Sequence, residues 1–245
     1  MDIPQKPLIT RAMILAAGLG TRFKPWTDRH PKALALVNGK SLLQRNIEYL
    51  QRYGIFEVVV NVHHFAGQIR EVLSVNKGWG SQITISDETE QVLETGGGLK
   101  KAELYLGEQP FVLMNVDILT DLDLSALIMD HFQHRPLATL AVTDRQTSRY
   151  FLFDDQQELV GWRNAVTGQE RIARPEPGSP KAFSGIHVID PAIFPLIREE
   201  GKFSIVDLYL ELATSYAIRG YDHSNSRLID VGKPDSVAKA EALFP

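Results

Sequence analysis

Glycines and cations directly follow the first apolar run of the chain. Residues 13–17 are all apolar, and the sequence Gly-Leu-Gly-Thr-Arg-Phe-Lys-Pro comes next at 18–25. Glycine lets main-chain N–H groups approach anionic oxygens closely, and arginine and lysine are the side chains that pair with phosphate. Arg22 in this run and Lys32 ten residues later therefore predict a loop that holds a polyphosphate.

This loop differs from two common phosphate-binding motifs. The dinucleotide fingerprint G-x-G-x-x-G needs a third glycine where this chain has Phe23, and a Walker A loop needs a Gly-Lys-Ser/Thr that does not follow at the right spacing. A surface turn with two solvated cations is the alternative, and it would suffice for a lone pair of glycines. The continuation to Pro31 and Lys32 favours phosphate binding.

Two later segments also carry residue types suited to binding a nucleotide and a metal. Thr95 precedes three consecutive glycines, which would leave room for a flat base beside the free N–H groups of a helix start; a flexible turn is the alternative. Asp117 follows the apolar run 110–115, and a carboxylate beside phosphates is a natural Mg²⁺ ligand. An aspartate that caps the next turn is the alternative there.

Alternating apolar and helical patterns predict the elements that position these residues. In the first half, the predicted strands are 13–17, 56–62, 82–86, 110–115 and 137–142, and the predicted helices are 41–53, 65–73, 95–106 and 124–132. This alternation predicts an α/β fold with a mostly parallel sheet and helices on both faces. Ligands of such sheets bind beyond the carboxyl ends of the strands, where the glycine loop and Asp117 lie.

The second half of the chain does not continue this regular alternation of strands and helices. It predicts, in order, a hairpin at 149–154 and 158–162, a loop at 166–180, a strand at 181–189, a helix at 204–215, one or two strands within 219–229, and a helix at 234–243. No linker separates free domains. We predict one domain over 1–245, with a nucleotide-binding half at 1–142 and a sugar-binding half at 143–245.

Composition excludes several classes of protein. The chain has 245 residues, no cysteine, and 26 Lys and Arg against 30 Asp and Glu, for a net charge of −4. A disulfide scaffold, a thiolate metal site and a cysteine nucleophile are excluded, and a nucleic-acid partner is not expected. The apolar run 12–17 is shorter than the ~20 residues of a membrane span and lacks the layout of a signal peptide. We expect a cytoplasmic protein with no membrane partner.

The loop as a whole resembles a family signature. The run L-A-A-G-x-G-T-R-x-x-P-x-T-x-x-x-P-K at 15–32 is similar to that of the sugar-1-phosphate nucleotidyltransferases, and later landmarks follow in the family's order. The resemblance implies a Rossmann-like, glycosyltransferase-A-like core with a mixed sheet. It also implies Mg²⁺ as cofactor and the reaction of an NTP with a sugar 1-phosphate to give an NDP-sugar and pyrophosphate.

The resemblance also implies roles for individual residues. The implied catalytic residues are Arg22, Lys32, Asp117 and Asp230. The two aspartates are the implied metal ligands. The implied nucleotide-binding residues are Leu15, Ala16, Ala17, Gly18, Gly20, Thr21, Glu88, Thr95, Gly96 and Gly97. The implied sugar-binding residues are Asn115, Ser184 and Gly185. Arg22 would stabilise the leaving phosphates, and Lys32 would hold the α-phosphate or the sugar phosphate.

The chain departs from the family pattern at three places. Glu94 replaces the first glycine of the Gly-Thr-Ala-Gly segment, and Lys233 replaces the threonine of the late Asp-x-Gly-Thr motif that contains Asp230. The Glu-Lys-Pro motif whose lysine holds the sugar phosphate is missing. Either Arg174 or Lys181 takes its place, or both are solvated loop cations, the interpretation we favour.

Within the family, Leu-Glu-Thr-Gly-Gly-Gly together with Phe-Ser-Gly-Ile, in a chain this short, most resembles the N-acetylmuramate-1-phosphate uridylyltransferase branch of cell-wall recycling. UTP and N-acetylmuramate 1-phosphate are then the expected substrates, for a monomer or small homo-oligomer. Mannose- or heptose-1-phosphate guanylyltransferases are alternatives. The residues are also compatible with a molybdopterin-type nucleotidyltransferase, with a choline-phosphate cytidylyltransferase that cages its ligand with Trp26, Trp162 or Phe183, and with a non-catalytic nucleotide-sugar sensor.

Overall fold

The computed structural model describes residues 9–245, and residues 1–8 of the predicted domain lie outside it. The strands are β1 Arg11–Leu15, β2 Leu36–Val37, β3 Lys40–Ser41, β4 Glu57–Val62, β5 Gln82–Asp87, β6 Phe111–Asn115, β7 Ile118–Thr120, β8 Ala138–Thr143, β9 Arg149–Phe153, β10 Leu159–Asn164, β11 Glu170–Ile172, β12 Ser179–Ile189, β13 Ile218–Asp222 and β14 Leu228–Asp230. The α-helices are α1 Leu42–Gln51, α2 Ala66–Val75, α3 Glu94–Lys101, α4 Glu103–Leu106, α5 Leu124–His134, α6 Ile205–Leu212 and α7 Ser236–Leu243.

One ten-stranded sheet organises the described chain. Its order is β11-β10-β9-β12-β6-β1-β4-β5, and β8 adds to β12 and in turn carries β13. Strands β6, β1, β4 and β5 are parallel to one another. Strand β12 is antiparallel to β6, β8 and β9. Strand β12 therefore joins the two halves of the sequence into one sheet.

Consecutive residues of the central strands enter two separate cores. Ala12 and Ile14 of β1 belong to a core with the apolar residues of α1, α2 and α5. Met13 between them belongs to a second core with the apolar residues of α3, α4 and α6. Because successive side chains of a strand point to opposite faces, each face of the sheet is covered by its own helices. A strand that is buried on both faces in this way is expected to have an unbroken run of apolar residues.

The predicted fold class is confirmed: the sheet is mixed, its central strands β6, β1, β4 and β5 run parallel to one another, and helices cover both faces. The hairpin of β9 and β10 is also as predicted. The predicted loop 166–180 is wrong in part, because it contains β11 and the first residues of β12. These residues pair with β10 and β9, a pairing that the Gly- and Pro-rich composition of the segment conceals.

No helix within residues 9–245 is long and apolar enough to cross a membrane.

Candidate active site

The carboxyl ends of the parallel strands bring the sequence-predicted residues together. Leu15 at the end of β1 pairs in register with Asn61 of β4 on one side and with Asn115 of β6 on the other. The loop after β1, the turn after β6 and the segment after β5 therefore leave the sheet at the same edge. Side chains from this edge surround a cavity of about 540 Å³.

A buried hydrogen-bond network fixes the first residues of the glycine loop. The Asn61 Oδ1 atom accepts hydrogen bonds from the main-chain N–H groups of Ala16 and Ala17 at 2.6 and 3.2 Å. Its Nδ2 group donates to Glu88 Oε1 at 2.8 Å, and Glu88 Oε2 accepts from the Leu93 N–H at 3.3 Å. The network therefore ties the glycine loop to the segment that leads into α3.

The carboxyl of Glu88 is the one acidic group of this network. It is 1% exposed, and burial raises its pKa, although the hydrogen bonds from Asn61 and Leu93 act in the opposite direction. Sequence reasoning placed Glu88 at the nucleotide site but missed Asn61. The available signal was a polar residue that follows three consecutive valines near the carboxyl end of the strand.

Replacing Asn61 tests the role of this network. We expect Asn61→Ala to raise the KM for the NTP and to lower the free energy of unfolding by about 1–3 kcal/mol. The reason is that two main-chain N–H groups and a buried carboxyl lose their hydrogen-bond partner. Urea denaturation and initial rates of pyrophosphate release measure the two effects. Asn76→Ala is the matched control, because Asn76 is exposed and bonds only to the Val72 carbonyl of its own helix. If the two variants had the same KM for the NTP and the same free energy of unfolding, Asn61 would have no specific role in holding the glycine loop.

Most of the sequence-predicted nucleotide residues line the cavity. The predicted residues at its wall are Leu15, Ala16, Ala17, Gly18, Gly20, Thr21, Lys32, Glu88, Thr95, Asn115 and Asp117. Sequence reasoning did not place Asn61, Glu94, Lys202 and Ser204 there, and all four also line it. Gly20 has a left-handed φ of 61°, and a Cβ atom there would lie 2.8 Å from the Thr27 side chain.

The two predicted metal ligands, far apart in the sequence, meet through strand pairing. Strands β7 and β14 are antiparallel, with Asp230 opposite Ile118, and the Val231 N–H donates to the Asp117 carbonyl at 2.8 Å. Burial, followed by the charge of Asp117, raises the pKa of Asp230. The structure thus brings both carboxylates to one place beside the cavity.

Both predicted cations lie near these carboxylates. The Lys32 ammonium forms an ion pair with Asp117 in which both side chains are mostly buried. Arg22 and Asp230 line a second, smaller cavity of about 220 Å³, and a Cβ atom at Gly232 would lie within 3.0 Å of polar atoms of both. The four predicted catalytic residues therefore form one charged cluster at the end of the larger cavity.

A comparison with known families shows the family of the chain. The family model described as "Nucleotidyl transferase" matches residues 11–159, more than half of the chain. The chain belongs to the nucleotidyl transferase family. The match begins at β1 and includes the glycine loop, the Thr95 segment and Asp117.

Individual relatives extend the similarity of this nucleotidyltransferase to its full length. It is 32% identical to the N-acetylmuramate alpha-1-phosphate uridylyltransferase of Caulobacter vibrioides, over 94% of this chain and 95% of that one. It is 30% identical to the protein of the same name from Neisseria meningitidis, over 95% and 97% of the two chains. Among solved structures, HddC from Yersinia pseudotuberculosis complexed with GMP-PN superposes with a TM-score of 0.77 at 21% identity, covering 97% and 100% of the chains.

The glycines after Thr95 pack against protein in this nucleotidyltransferase. Gly96 and Gly97 are buried at the start of α3 and do not line the cavity. Their N–H groups donate to the Phe203 carbonyl at 3.0 and 3.3 Å, and the space beside them holds Phe203 and Gly201. Because glycine has no side chain, the segment before α6 can pack closely against the start of α3. Its Lys202 and Ser204 reach the cavity.

Glu94 lies on the cavity wall with a left-handed φ of 59°. This conformation is costly for a residue other than glycine, which accounts for the glycine that the family usually has here. The Glu94 carboxylate pairs with the Lys202 ammonium at 3.3 Å. The departure from the family pattern therefore adds an ion pair at the wall.

The predicted sugar-binding residues divide into two groups. Asn115 lines the cavity. Gly185 lies against the Asn115 side chain: it has a left-handed φ of 73°, and a Cβ atom there would be 2.7 Å from Asn115 Nδ2. The structure does not bring Ser184 to the cavity: it is 0% exposed, and its hydroxyl is 2.7 Å from His223 Nε2. A bulge in β12 between Phe183 and His187 turns these neighbours in different directions.

The two cations that we assigned to a solvated loop bond to neighbouring parts of the protein instead. Lys181 lies in β12 and bonds to Asp144 at 2.6 Å and to Asp222 at 2.5 Å. Arg174 bonds to Glu158 and to the carbonyls of Ala213 and Tyr216. The solvated-loop interpretation is therefore wrong for both, because each side chain is mostly buried and is paired with a carboxylate.

The aromatic residues proposed as a choline cage are not brought to one site. Trp26 packs on the core that contains the apolar residues of α1 and α2. Trp162 and Phe183 pack on the core of the other face.

Proposed function

We propose that this nucleotidyltransferase transfers the uridylyl group of UTP to N-acetylmuramate 1-phosphate, giving UDP-N-acetylmuramate and pyrophosphate, as a cytoplasmic enzyme of cell-wall recycling. The cluster of Arg22, Lys32, Asp117 and Asp230 at the end of the nucleotide cavity is the observation that supports catalysis. The names of the two bacterial relatives, each aligned over almost its entire length, support the choice of base and sugar.

The transfer needs positioning and charge neutralisation more than acid–base catalysis. A phosphate oxygen of the sugar 1-phosphate, already ionised at neutral pH, forms a bond to the α-phosphorus of the NTP, and the bond from that phosphorus to the bridging oxygen of pyrophosphate breaks. No proton has to be removed from the nucleophile. The barrier comes from bringing two anions together in line.

Each charged residue has a place in this transfer. The main-chain N–H groups of the glycine loop face the phosphates, and the Asn61 network holds the start of that loop. Arg22 stabilises the leaving pyrophosphate. Lys32, which is paired with Asp117, holds the α-phosphate or the incoming sugar phosphate.

The two aspartates fit a divalent cation. Both offer carboxylate oxygens, the ligands that Mg²⁺ prefers, and the charge of Asp117 acts on Asp230. No group of three or more His, Asp or Glu side chains within 9–245 could hold a metal ion. Mg²⁺ typically binds through one or two carboxylates and substrate phosphates, so Asp117 and Asp230 would hold it here. When bound, it supplies positive charge that offsets the repulsion between the anions.

Turnover assays with substrate pairs test the proposal. Each of the four NTPs is combined with N-acetylmuramate, N-acetylglucosamine, glucose and mannose 1-phosphates, and pyrophosphate release is measured with Mg²⁺ present. We expect UTP with N-acetylmuramate 1-phosphate to give the largest kcat/KM. A preference for GTP and mannose 1-phosphate would replace this function by that of a guanylyltransferase. Binding of UTP without turnover of any pair would indicate a sensor.

A further inference from the structure

We propose that Arg145 forms a carboxylate-binding subsite that selects acidic acceptor sugars. This inference rests on the proposed function, in which the acceptor carries a carboxylate on its 3-O-lactyl group. Arg145 is the second residue after β8 and is exposed. Neither the family match nor the resemblance of the glycine loop assigns it a role.

Strand order places Arg145 on the acceptor side of the site. Along the sheet the order is β8, β12, β6, β1, β4, β5, and the nucleotide cavity lies over the ends of β6, β1 and β4. Because β12 is antiparallel to both β8 and β6, the carboxyl ends of β8 and β6 lie at the same edge. Across the sheet, two strand spacings of ~4.8 Å separate them, about 10 Å. Along β12, β8 ends opposite Ala182, whereas β6 ends near Gly185.

The bulge in β12 shapes the edge between these two strands. Gly185 approaches Asn115 at the wall of the nucleotide cavity. The Ser184 hydroxyl forms a hydrogen bond with His223. His223 is the residue after β13, the strand that pairs with β8. An acceptor whose phosphate reaches Lys32 and the two aspartates from this side would lie over the Gly185 bulge, with Arg145 beyond it.

The guanidinium of Arg145 is held in place and keeps donors available. Its Nη2 group donates to the Phe183 carbonyl at 2.7 Å. Within residues 9–245, no carboxylate lies within ion-pair distance of it. An arginine has five N–H donors, so most remain for a ligand. One main-chain anchor with no acidic partner is the arrangement expected of a preorganised anion site rather than of a structural ion pair.

Electrostatics favours a cation at this position if the sugar is acidic. Asp117 and Asp230 lie between the nucleotide and the acceptor, and a sugar carboxylate would add a third negative charge near them. The Arg145 guanidinium bonds to the Phe183 carbonyl, two residues from Gly185 at the wall of the nucleotide cavity. Its charge therefore lies on the acceptor side of the carboxylate pair. A bidentate arginine–carboxylate contact also selects by geometry.

Comparing two acceptors that differ only in the lactyl group isolates this contact. For Arg145→Ala we expect kcat/KM for N-acetylmuramate 1-phosphate to fall about 10- to 100-fold, mainly through KM, as for loss of a charge-assisted hydrogen bond. The slower turnover of N-acetylglucosamine 1-phosphate should change little. Arg145→Lys should keep part of the preference. Arg149→Ala is the matched control, since Arg149 is exposed and begins β9, the strand that follows the connection containing Arg145.

The outcomes separate the inference from the function on which it rests. An equal loss on both acceptors for Arg145→Ala, or the same loss of preference for Arg149→Ala, would overturn the subsite while leaving the uridylyltransferase function intact. A wild-type enzyme that turns over N-acetylglucosamine 1-phosphate but not N-acetylmuramate 1-phosphate would overturn both. Urea denaturation of each variant shows whether a loss on both acceptors comes from unfolding.

Discussion

Replacing Asp117 by asparagine is expected to lower kcat/KM by at least about 100-fold, the scale of losing one preorganised electrostatic group at a reaction centre. The substitution preserves the shape of the side chain and removes its charge. Lys32 then loses its ion-pair partner, and Asp230 is left as the one carboxylate of the cluster. Initial rates of pyrophosphate release over a range of Mg²⁺ concentrations measure the effect, and the Mg²⁺ concentration for half-maximal rate should rise.

Asp121→Asn provides the control for that experiment. Asp121 is four residues away and bonds to the main chain and guanidinium of Arg227 at 2.7 and 2.6 Å, at an exposed place away from the cavity. Its loss should cost at most about 1 kcal/mol of stability and leave kcat/KM nearly unchanged. If Asp117→Asn kept near-normal kcat/KM, or if the two variants lost activity equally, Asp117 would have no specific role in catalysis.

The half of the site built on parallel strands could be predicted from the sequence. An apolar run marks a strand buried on both faces, and functional residues follow such strands, which located the glycine loop and Asp117 without knowledge of any contact. The pairing of Asp117 with Asp230 could not be derived in this way, because β7 and β14 are three residues long and far apart in the chain. The resemblance to a family, and not the hydropathy pattern, supplied Asp230.

Residues whose role depends on register were the ones that sequence reasoning missed. Asn61 reaches the glycine loop because it pairs with Leu15, and one residue of slip would turn it to the other face of the sheet. Ser184 was assigned to the sugar because it lies beside Gly185 in a strand. The bulge in β12 changes which face each residue occupies, and no local pattern marks its position.

The three glycines after Thr95 show a different limit of sequence reasoning. Consecutive glycines indicate that something approaches the backbone closely, but they do not identify what approaches. In the structure the approaching group is the segment before α6: the Phe203 N–H donates to the Leu93 carbonyl at 3.2 Å, and the Ile205 N–H donates to Thr95 Oγ1 at 2.9 Å. The glycines thus build the cavity wall indirectly, by letting this segment dock on α3.

A single methyl group at Gly97 should undo this docking. A Cβ atom there would overlap the Gly201 carbonyl oxygen and lie 3.0 Å from Leu93 Cβ, and main-chain atoms cannot turn aside as a flexible side chain can. We expect Gly97→Ala to lower the free energy of unfolding by about 1–3 kcal/mol, the usual cost of overpacking. The KM for the NTP should rise as well, because Lys202 and Ser204 move with the segment. Urea denaturation and steady-state kinetics measure the two effects.

Gly67→Ala distinguishes this clash from the general effect of replacing a helical glycine. Gly67 lies in α2, and a Cβ atom there would meet nothing within 4 Å. Alanine is favoured over glycine inside a helix by up to about 1 kcal/mol, so this variant should be as stable as the wild type or more stable, with unchanged kinetics. Opposite signs for the same chemical change would show that the space beside Gly97 is filled by main chain. A Gly97→Ala enzyme with wild-type stability and wild-type KM would mean that the segment before α6 does not form the cavity wall.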